Sequence, residues 1–221
     1  MCDTIKNGKL TRDAMDITNE VSKVVKFSPK CNAIFDKLKE EVSPDTPGFR
    51  VLCPTHWTVR AKSLRSVQNN YSVLQELWEF VLDGNTHPDV RTRVIGVRAQ
   101  MESFEYFFGI SVAELVLRHD DNLSATHQSS TISAAEGQRV ASLTTSTIAK
   151  MRTNESFCLI WEMVQNKAAA VHVNEPRLHR RRRVPARFEA GDGPANFPAT
   201  VKARYRQIIL RSWTMQSLPS R

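Results

Sequence analysis

The residues from 88 to 108, PDVRTRVIGVRAQMESFEYFF, contain the clearest periodic pattern in the chain. Apolar residues recur in this stretch at intervals of four, three, four, three and four, and they are Val90, Val94, Val97, Met101, Phe104 and Phe108. The spacing places them on one face of an α-helix, so the stretch predicts an amphipathic helix packed against a core. Pro88 suits the first helical position, and Gly109 is expected to end the pattern. Ser111 would then cap a short continuation.

Helical spacing also dominates the N-terminal part of the chain. Apolar residues predict a first helix over about 10–26, with Thr11 as a cap near its start. Ser28 is a suitable cap for a second helix, and Pro29 suits its first position. Because the connection is short, the two helices should form an antiparallel pair. The connector 43–56 ends this pair, since its prolines remove backbone donors.

Beyond the connector, the pattern predicts more helix and little strand. Loose alternation from Phe49 to Cys53 supports only a short extended segment. Apolar residues from Val59 to Val81 predict either one long helix or a broken pair, and the Asp83-Gly84-Asn85 sequence ends it.

The C-terminal half begins with a capping box, Ser133-Ala134-Ala135-Glu136. The helix that follows carries Val140, Leu143, Ile148 and Met151, and a further helix ends near Ala170. From about 173 to 198 there is no apolar periodicity, which predicts an extended or disordered linker. Residues 200–213 are compatible with a last helix.

The fold class predicted from these patterns is mainly α, a helical bundle or array. The predicted organisation is an N-terminal helical pair (1–42), a Pro-containing connector (43–56), a helical domain (57–170), a basic flexible linker (171–198), and a short C-terminal helix and tail (199–221).

Composition is that of an ordinary globular chain, since 221 residues include 41% hydrophobic and 24% charged residues. No apolar run approaches the roughly 20 residues that cross a bilayer, and the N-terminus lacks a signal-like apolar stretch. An intracellular protein without a membrane partner is therefore expected. The cysteines lack a paired C-x-x-C spacing, which favours reduced thiols over disulfides, and they are Cys2, Cys31, Cys53 and Cys158.

The net charge of +8 is concentrated near the C-terminus. From Arg177 onward there are eleven basic and two acidic residues, so the preceding part is close to neutral. The predicted nucleic-acid-binding arginines are Arg177, Arg180, Arg181, Arg182, Arg183 and Arg187. Such a cluster can neutralise phosphates or be recognised by import receptors, and the alternative is a solvated charged linker. Trp57 is a candidate for base stacking, whereas aromatic residues at helical spacing are expected in the core.

Two other groups contain residue types used in chemistry. Cys53 and His56 have half of a zinc spacing, but no second pair completes four ligands, so no metal is predicted. His119-Asp120-Asp121 contains the groups of acid–base catalysis, but such a triplet is usually a solvated C-terminal helical turn, and no nucleophile or third partner is in view. No phosphate-binding glycine motif occurs, and no cofactor is predicted.

Three ordered stretches resemble a known family. They are FRVLCPTHWTVR (49–60), IGVRAQMESF (95–104) and SAAEGQ (133–138), and they are similar to the transposase-derived region of zinc finger MYM-type proteins. That region derives from hAT-type transposases, which have a ribonuclease-H-like core. The resemblance covers most of 4–190 and implies that Trp57 opens the helical insertion domain. His56 departs from the family pattern, in which arginine is usual.

The resemblance also implies a protein without catalysis. An active transposase of this type holds divalent metal with two aspartates before the insertion domain and a glutamate after it. These positions are expected upstream of Met1 and beyond Arg221. The leading hypothesis is therefore a domesticated, nuclear, non-enzymatic module whose partners are DNA, RNA or proteins, with a homo-oligomer also open. The alternatives are a transposase fragment lacking its catalytic residues, or a gene-model fragment without an independent function.

Overall fold

The structure, a computed structural model, describes residues 8–51, 60–84, 86–128, 133–178 and 198–214. Within these ranges the chain forms nine α-helices and no β-strand. In chain order they are α1 (Lys9–Phe27), α2 (Pro29–Val42), α3 (Arg60–Asn69), α4 (Tyr71–Asp83), α5 (Pro88–Met101), α6 (Phe104–Gln128), α7 (Ala134–Met151), α8 (Asn154–Ala170) and α9 (Val201–Thr214). The predicted mainly-α class is confirmed, and no helix in these ranges is long and apolar enough to cross a bilayer.

Helices α1 and α2 begin and end close to the predicted positions. The Ser28 hydroxyl accepts a hydrogen bond from the Cys31 N–H at 3.3 Å, and Pro29 occupies the first position of α2. Thr11 is not the cap of α1, because Gly8 holds that position and the Thr11 hydroxyl donates to the Gly8 carbonyl at 2.9 Å. The threonine thus belongs to the first helical turn.

Side chains of α3 hold the extended segment that follows α2. The Ser66 hydroxyl accepts from the Arg50 N–H at 2.9 Å, and the Ser63 hydroxyl donates to the Val51 carbonyl at 2.9 Å. Phe49, which directly precedes these contacts, is buried, with its ring centroid 5.5 Å from that of Phe35. The segment is ordered by backbone bonds to side chains, without a partner strand.

The region from 59 to 81, which the sequence leaves open, is a broken helical pair. Asn70 separates α3 from α4, and its side chain donates to the Ser66 carbonyl at 2.8 Å and to the Pro47 carbonyl at 3.2 Å. The buried Asn70 side chain therefore connects the junction of α3 and α4 to the connector that contains Pro47.

The predicted stripe from 90 to 108 is buried, but it runs over two helices. The chain leaves α5 at Glu102, and the Ser103 hydroxyl accepts from the Tyr106 N–H at 3.2 Å as α6 begins. The hydroxyl of Tyr71 donates to the Met101 carbonyl, and the Trp78 indole N–H lies 3.2 Å from the Met101 sulfur. Side chains of α4 thus provide hydrogen-bond partners for Met101, the last residue of α5.

The prediction that Gly109 ends a helix is wrong. Helix α6 passes through Gly109 and Ser111 and ends only at Gln128. A β-carbon at Gly109 would lie 2.8 Å from the Ala14 β-carbon and 3.1 Å from the Leu10 carbonyl oxygen. The glycine permits α1 to approach α6 closely, which is its structural role. Ser111 is inside the helix, where its hydroxyl donates to the Phe107 carbonyl at 2.8 Å.

Helix α6 is the centre of the fold. It packs against α1, α3, α5, α7 and α8. The aromatic residues predicted for the core are all buried, and they are Tyr71, Trp78, Phe104, Phe108 and Trp161. The apolar stripes therefore find their partners among the helices of this chain.

Helices α7 and α8 begin at side-chain caps. The Ser133 and Thr153 hydroxyls accept from the N–H groups of Glu136 and Ser156, at 3.3 and 3.2 Å. Of the four apolar residues predicted on α7, Leu143 is 58% exposed, whereas Met151 is partly buried and packs against the core. The buried residues of α7 are small ones, such as Thr144, which face α6.

Candidate nucleic-acid interface

Helix α9 is docked on the body of the protein by an aromatic cluster. The Tyr205 ring centroid lies 4.8 Å from that of Phe108, 5.4 Å from that of Phe104 and 5.3 Å from that of Trp161. Tyr205 and Ile209, one helical turn apart, are both buried. Edge-to-face ring pairs at these distances stabilise beyond their buried area. The last helix is thus a fixed part of the core.

The residues that follow α8 are also held in place by hydrogen bonds and burial. His172 adopts a left-handed backbone conformation with φ of 55°. The His172 and Val173 N–H groups donate to carbonyls of the last helical turn, at 3.2 and 3.0 Å, which is a Schellman termination. Val173 is buried, and the Asn174 N–H donates to the Glu102 carbonyl at 3.0 Å. The chain therefore leaves α8 attached to the α5–α6 junction.

Arg204 connects these two fixed parts. Its guanidinium donates to the Arg177 carbonyl at 3.2 Å and lies 3.5 Å from a carboxylate oxygen of Glu105. Its side chain is only 17% exposed, and the guanidinium carbon is 5.6 Å from the Tyr205 ring centroid. Arg177 is consequently held beside the first turns of α9, and its own side chain is exposed.

The electrostatics of this corner are basic. Helix α9 has the sequence VKARYRQIILRSWT, which contains no acidic residue. Lys202 and Arg206 are partly or fully exposed, whereas Arg204 is occupied by Glu105 and the Arg177 carbonyl. Among the side chains described in this corner, those of Arg177, Lys202 and Arg206 are at least partly exposed and can meet a polyanion. Together they form what we call the basic corner.

The other predicted nucleic-acid-binding residues lie outside the described ranges. These are Arg180 to Arg183, Arg187 and Trp57, and the structure says nothing about their positions. Of the predicted set, Arg177 alone falls within the described ranges. Sequence analysis missed Lys202 and Arg206 because α9 looked like an appended tail. The sequence signal that could have indicated a docked helix is the helical spacing of Tyr205 and Ile209.

The triplet His119-Asp120-Asp121 is not at a C-terminal turn, because α6 continues to Gln128. Asp121 accepts a hydrogen bond from the Ala61 N–H at the start of α3, although burial raises the pKa of its carboxyl. Burial and the neighbouring Arg118 lower the pKa of His119. A carboxylate at a helix N-terminus satisfies a free backbone donor, so Asp121 has a structural role.

A partly buried ion pair lies about two turns before Asp121 on the same helix. The Arg65 guanidinium donates twice to one Glu114 carboxylate oxygen, at 2.6 and 3.0 Å, and Glu114 is largely buried. Together with Asp121 this pair joins α3 to α6. The polar side chains along this helix pair are therefore engaged in packing the two helices together.

The metal prediction concerns residues outside the described ranges, since both Cys53 and His56 fall between 52 and 59. Among the residues that the structure describes, no group of three or more His, Cys, Asp or Glu side chains could hold a metal ion. Cys31 and Cys158 are free thiols.

Comparison of the chain with protein-family models, with curated proteins and with solved structures found no match. The class that the structure defines is accordingly a mainly helical protein with a basic corner. The resemblance to the transposase-derived region of zinc finger MYM-type proteins stays a prediction.

Proposed function

We propose that the chain is a non-catalytic module that binds nucleic acid through the segment from Arg177 to Arg187 together with the basic corner. The observation that supports this proposal is the contact between Arg204 and the Arg177 carbonyl. It fixes the start of the arginine-rich segment beside the exposed Lys202 and Arg206, and Arg180 follows Arg177 by only three residues. Arg177, Lys202 and Arg206 thus belong to one surface region, and Arg180 to Arg183 follow it closely in the sequence.

The chemistry of this interface is phosphate neutralisation. Lys and Arg side chains release condensed counterions when they bind the backbone of DNA or RNA, so the binding is strongly salt-dependent and largely independent of sequence. Arginine also forms bidentate hydrogen bonds with phosphate oxygens. We therefore propose a polyanion contact whose strength depends on the number of arginines.

The test is a salt titration of binding to duplex and single-stranded oligonucleotides, followed by fluorescence anisotropy. Replacing Arg180 to Arg183 with alanine should lower the slope of log K against log salt by roughly 3 to 4, since each phosphate contact contributes about 0.9 on B-DNA. The Lys202→Ala, Arg206→Ala double variant should lower it by about 2. If the four-alanine variant keeps the wild-type slope, the proposal is wrong.

The matched control removes the same charge from the opposite end of the chain. Alanine at four lysines of α1 and α2 preserves helix propensity and lowers the net charge equally. The lysines are Lys23, Lys30, Lys37 and Lys39. This control should keep the wild-type slope, because these residues lie outside the basic corner.

We propose in addition that the protein is nuclear, with Arg180 to Arg183 recognised by an import receptor. A fluorescent fusion should enrich in nuclei, and the four-alanine variant should spread through the cell. Equal distributions of the two fusions would contradict this location.

The absence of catalysis is also part of the proposal. It is supported by the structural engagement of Asp121 with the Ala61 N–H. A transposon-derived insertion domain, the origin that the sequence resemblance implies, is a helical part without its own metal ligands, and helical folds are shared by many unrelated classes. Metal-dependent nicking of plasmid DNA by the purified chain, lost on chelation, would overturn it.

A further inference from the structure

An open groove of about 480 Å³ lies between α1 and α5, on a part of the surface separate from the basic corner. Its floor is apolar and includes Ile17 of α1 and Val97 of α5. Gly96 also lines the groove and is exposed. Helix α1 contributes about a turn and a half and α5 about two turns, so the groove has the shape of a helix-packing surface.

Gly96 is unexplained by the fold of a single chain. It lies in the interior of α5, where glycine is disfavoured relative to alanine, and its backbone is helical. A β-carbon at this position would meet nothing within 4 Å. Gly109 is the contrast, because the close approach of α1 fills the space where its side chain would be. Glycine leaves open space beside its backbone, and within one chain nothing occupies that space. Such a glycine is useful when a backbone from another molecule packs closely against it.

The two rims of the groove carry opposite charges. Asp16 and Glu20 line the α1 side, and Arg93 lines the α5 side. Within the described ranges neither Asp16 nor Arg93 forms a salt bridge, and Glu20 pairs only with its exposed neighbour Lys23 at 2.6 Å. The groove therefore presents an acidic rim, in which Asp16 forms no described salt bridge, facing a basic rim at Arg93.

We propose that this face binds a second copy of the chain. A two-fold axis that runs along the groove places the acidic α1 rim of one copy over the basic α5 rim of the other, twice by symmetry. An axis across the groove would place like charges together. The groove is thus complementary to itself in one arrangement, with Gly96 near the centre, where two helix backbones can approach closely.

The test measures self-association of the full chain by sedimentation equilibrium over a wide concentration range. The wild-type protein should dimerise reversibly. Gly96→Leu fills the centre of the interface and should raise the dimer Kd by roughly 10- to 100-fold. Ala149→Leu on the exposed side of α7 is the matched control and should leave the Kd unchanged. Far-UV circular dichroism and thermal melts confirm that each variant folds, which is expected since both positions are exposed.

A charge-swap experiment tests the orientation. Arg93→Glu gives a chain with two acidic rims, and Asp16→Lys with Glu20→Lys gives a chain with two basic rims. Each variant alone should be monomeric, and an equimolar mixture should form a heterodimer. Arg139→Glu and Glu162→Lys, on α7 and α8, are the controls and should dimerise like the wild type.

Three results would overturn the inference. The first is a wild-type protein that stays monomeric at the highest concentration, and the second is an unchanged Kd in Gly96→Leu. The third is a mixture of the two charge-swapped chains that fails to associate. None of these results bears on nucleic-acid binding, so this inference and the proposed function fail independently.

Discussion

Replacing Gly109 with alanine should destabilise the protein, although alanine is the better helix former. The propensity gain in α6 is about 1 kcal/mol. Against it, the new β-carbon would lie 2.8 Å from the β-carbon of Ala14, which is attached to the backbone and cannot rotate away. The Leu10 carbonyl oxygen, 3.1 Å from the same point, blocks the other side. Helix α1 must therefore move away from α6.

The cost of that movement exceeds the gain. Overpacking a buried contact typically costs about 1–3 kcal/mol, and the upper end applies here because both neighbours belong to a rigid helix. The movement also strains the 3.1 Å hydrogen bond between the Thr18 and Tyr106 hydroxyls, which joins the same two helices. We expect a net loss of about 2 kcal/mol, which lowers the Tm by roughly 4–8 °C for a chain of this size.

The assay is urea unfolding followed by circular dichroism, with Gly96→Ala as the companion variant. Gly96→Ala makes no new contact in the monomer, so the free energy of unfolding should rise by about 1 kcal/mol at a concentration at which the protein is monomeric. An Ala14→Gly change in the Gly109→Ala background removes the collision, so the two changes should couple by about 2 kcal/mol. Gly109→Ala at or above wild-type stability, or strict additivity with Ala14→Gly, would refute this explanation of the helix contact.

Three further predictions concern titration and backbone geometry. All three tyrosines are buried, and burial raises the pKa of each hydroxyl, that of Tyr205 to about 12 and those of Tyr71 and Tyr106 further. Their contribution to stability is therefore fully present below the ordinary tyrosine pKa of about 10 and is lost as the pH rises above it. Tyrosinate absorbance should therefore appear together with cooperative alkaline unfolding, and gradual native-state ionisation near pH 10 would contradict it. Because the pKa of the Asp121 carboxyl is raised, its ionisation lowers the free energy of unfolding as the pH rises through the usual aspartate range. Asp121→Asn should therefore match the wild type in acid and become more stable than it towards neutral pH. A stability difference that stays constant across a pH series of denaturant melts would exclude this. His172→Gly removes the cost of a left-handed backbone and should raise the unfolding free energy by about 0.5–1 kcal/mol in urea melts, whereas His172→Ala should not.

The basic corner gives Arg177, where the arginine-rich segment begins, a defined place on the molecule. Arg177 is held there by contacts of the residues that precede and follow positions 179–197. Those contacts are the burial of Val173, the bond from Arg204 to the Arg177 carbonyl, and the packing of Tyr205.

Much of the fold follows from signals within one or two helical turns. The Ser28 and Ser133 caps, the proline at the start of α2 and the apolar stripe through Phe104 all act locally, so the sequence alone predicts the helices and their core-facing aromatic residues. The concentration of positive charge beyond Arg177 is likewise a property of the sequence.

The tertiary structure decided what the sequence left open. From the sequence, Gly109 could either end a helix or allow another helix to pack closely. The close approach of Ala14, which lies 95 positions earlier, shows that it does the second. The same holds for Arg204, which meets Arg177 only because Tyr205 is buried against α6 and α8. The physical reason is that caps and stripes act within a few residues, whereas close helix contacts and the placement of charged segments depend on residues that are distant in the chain.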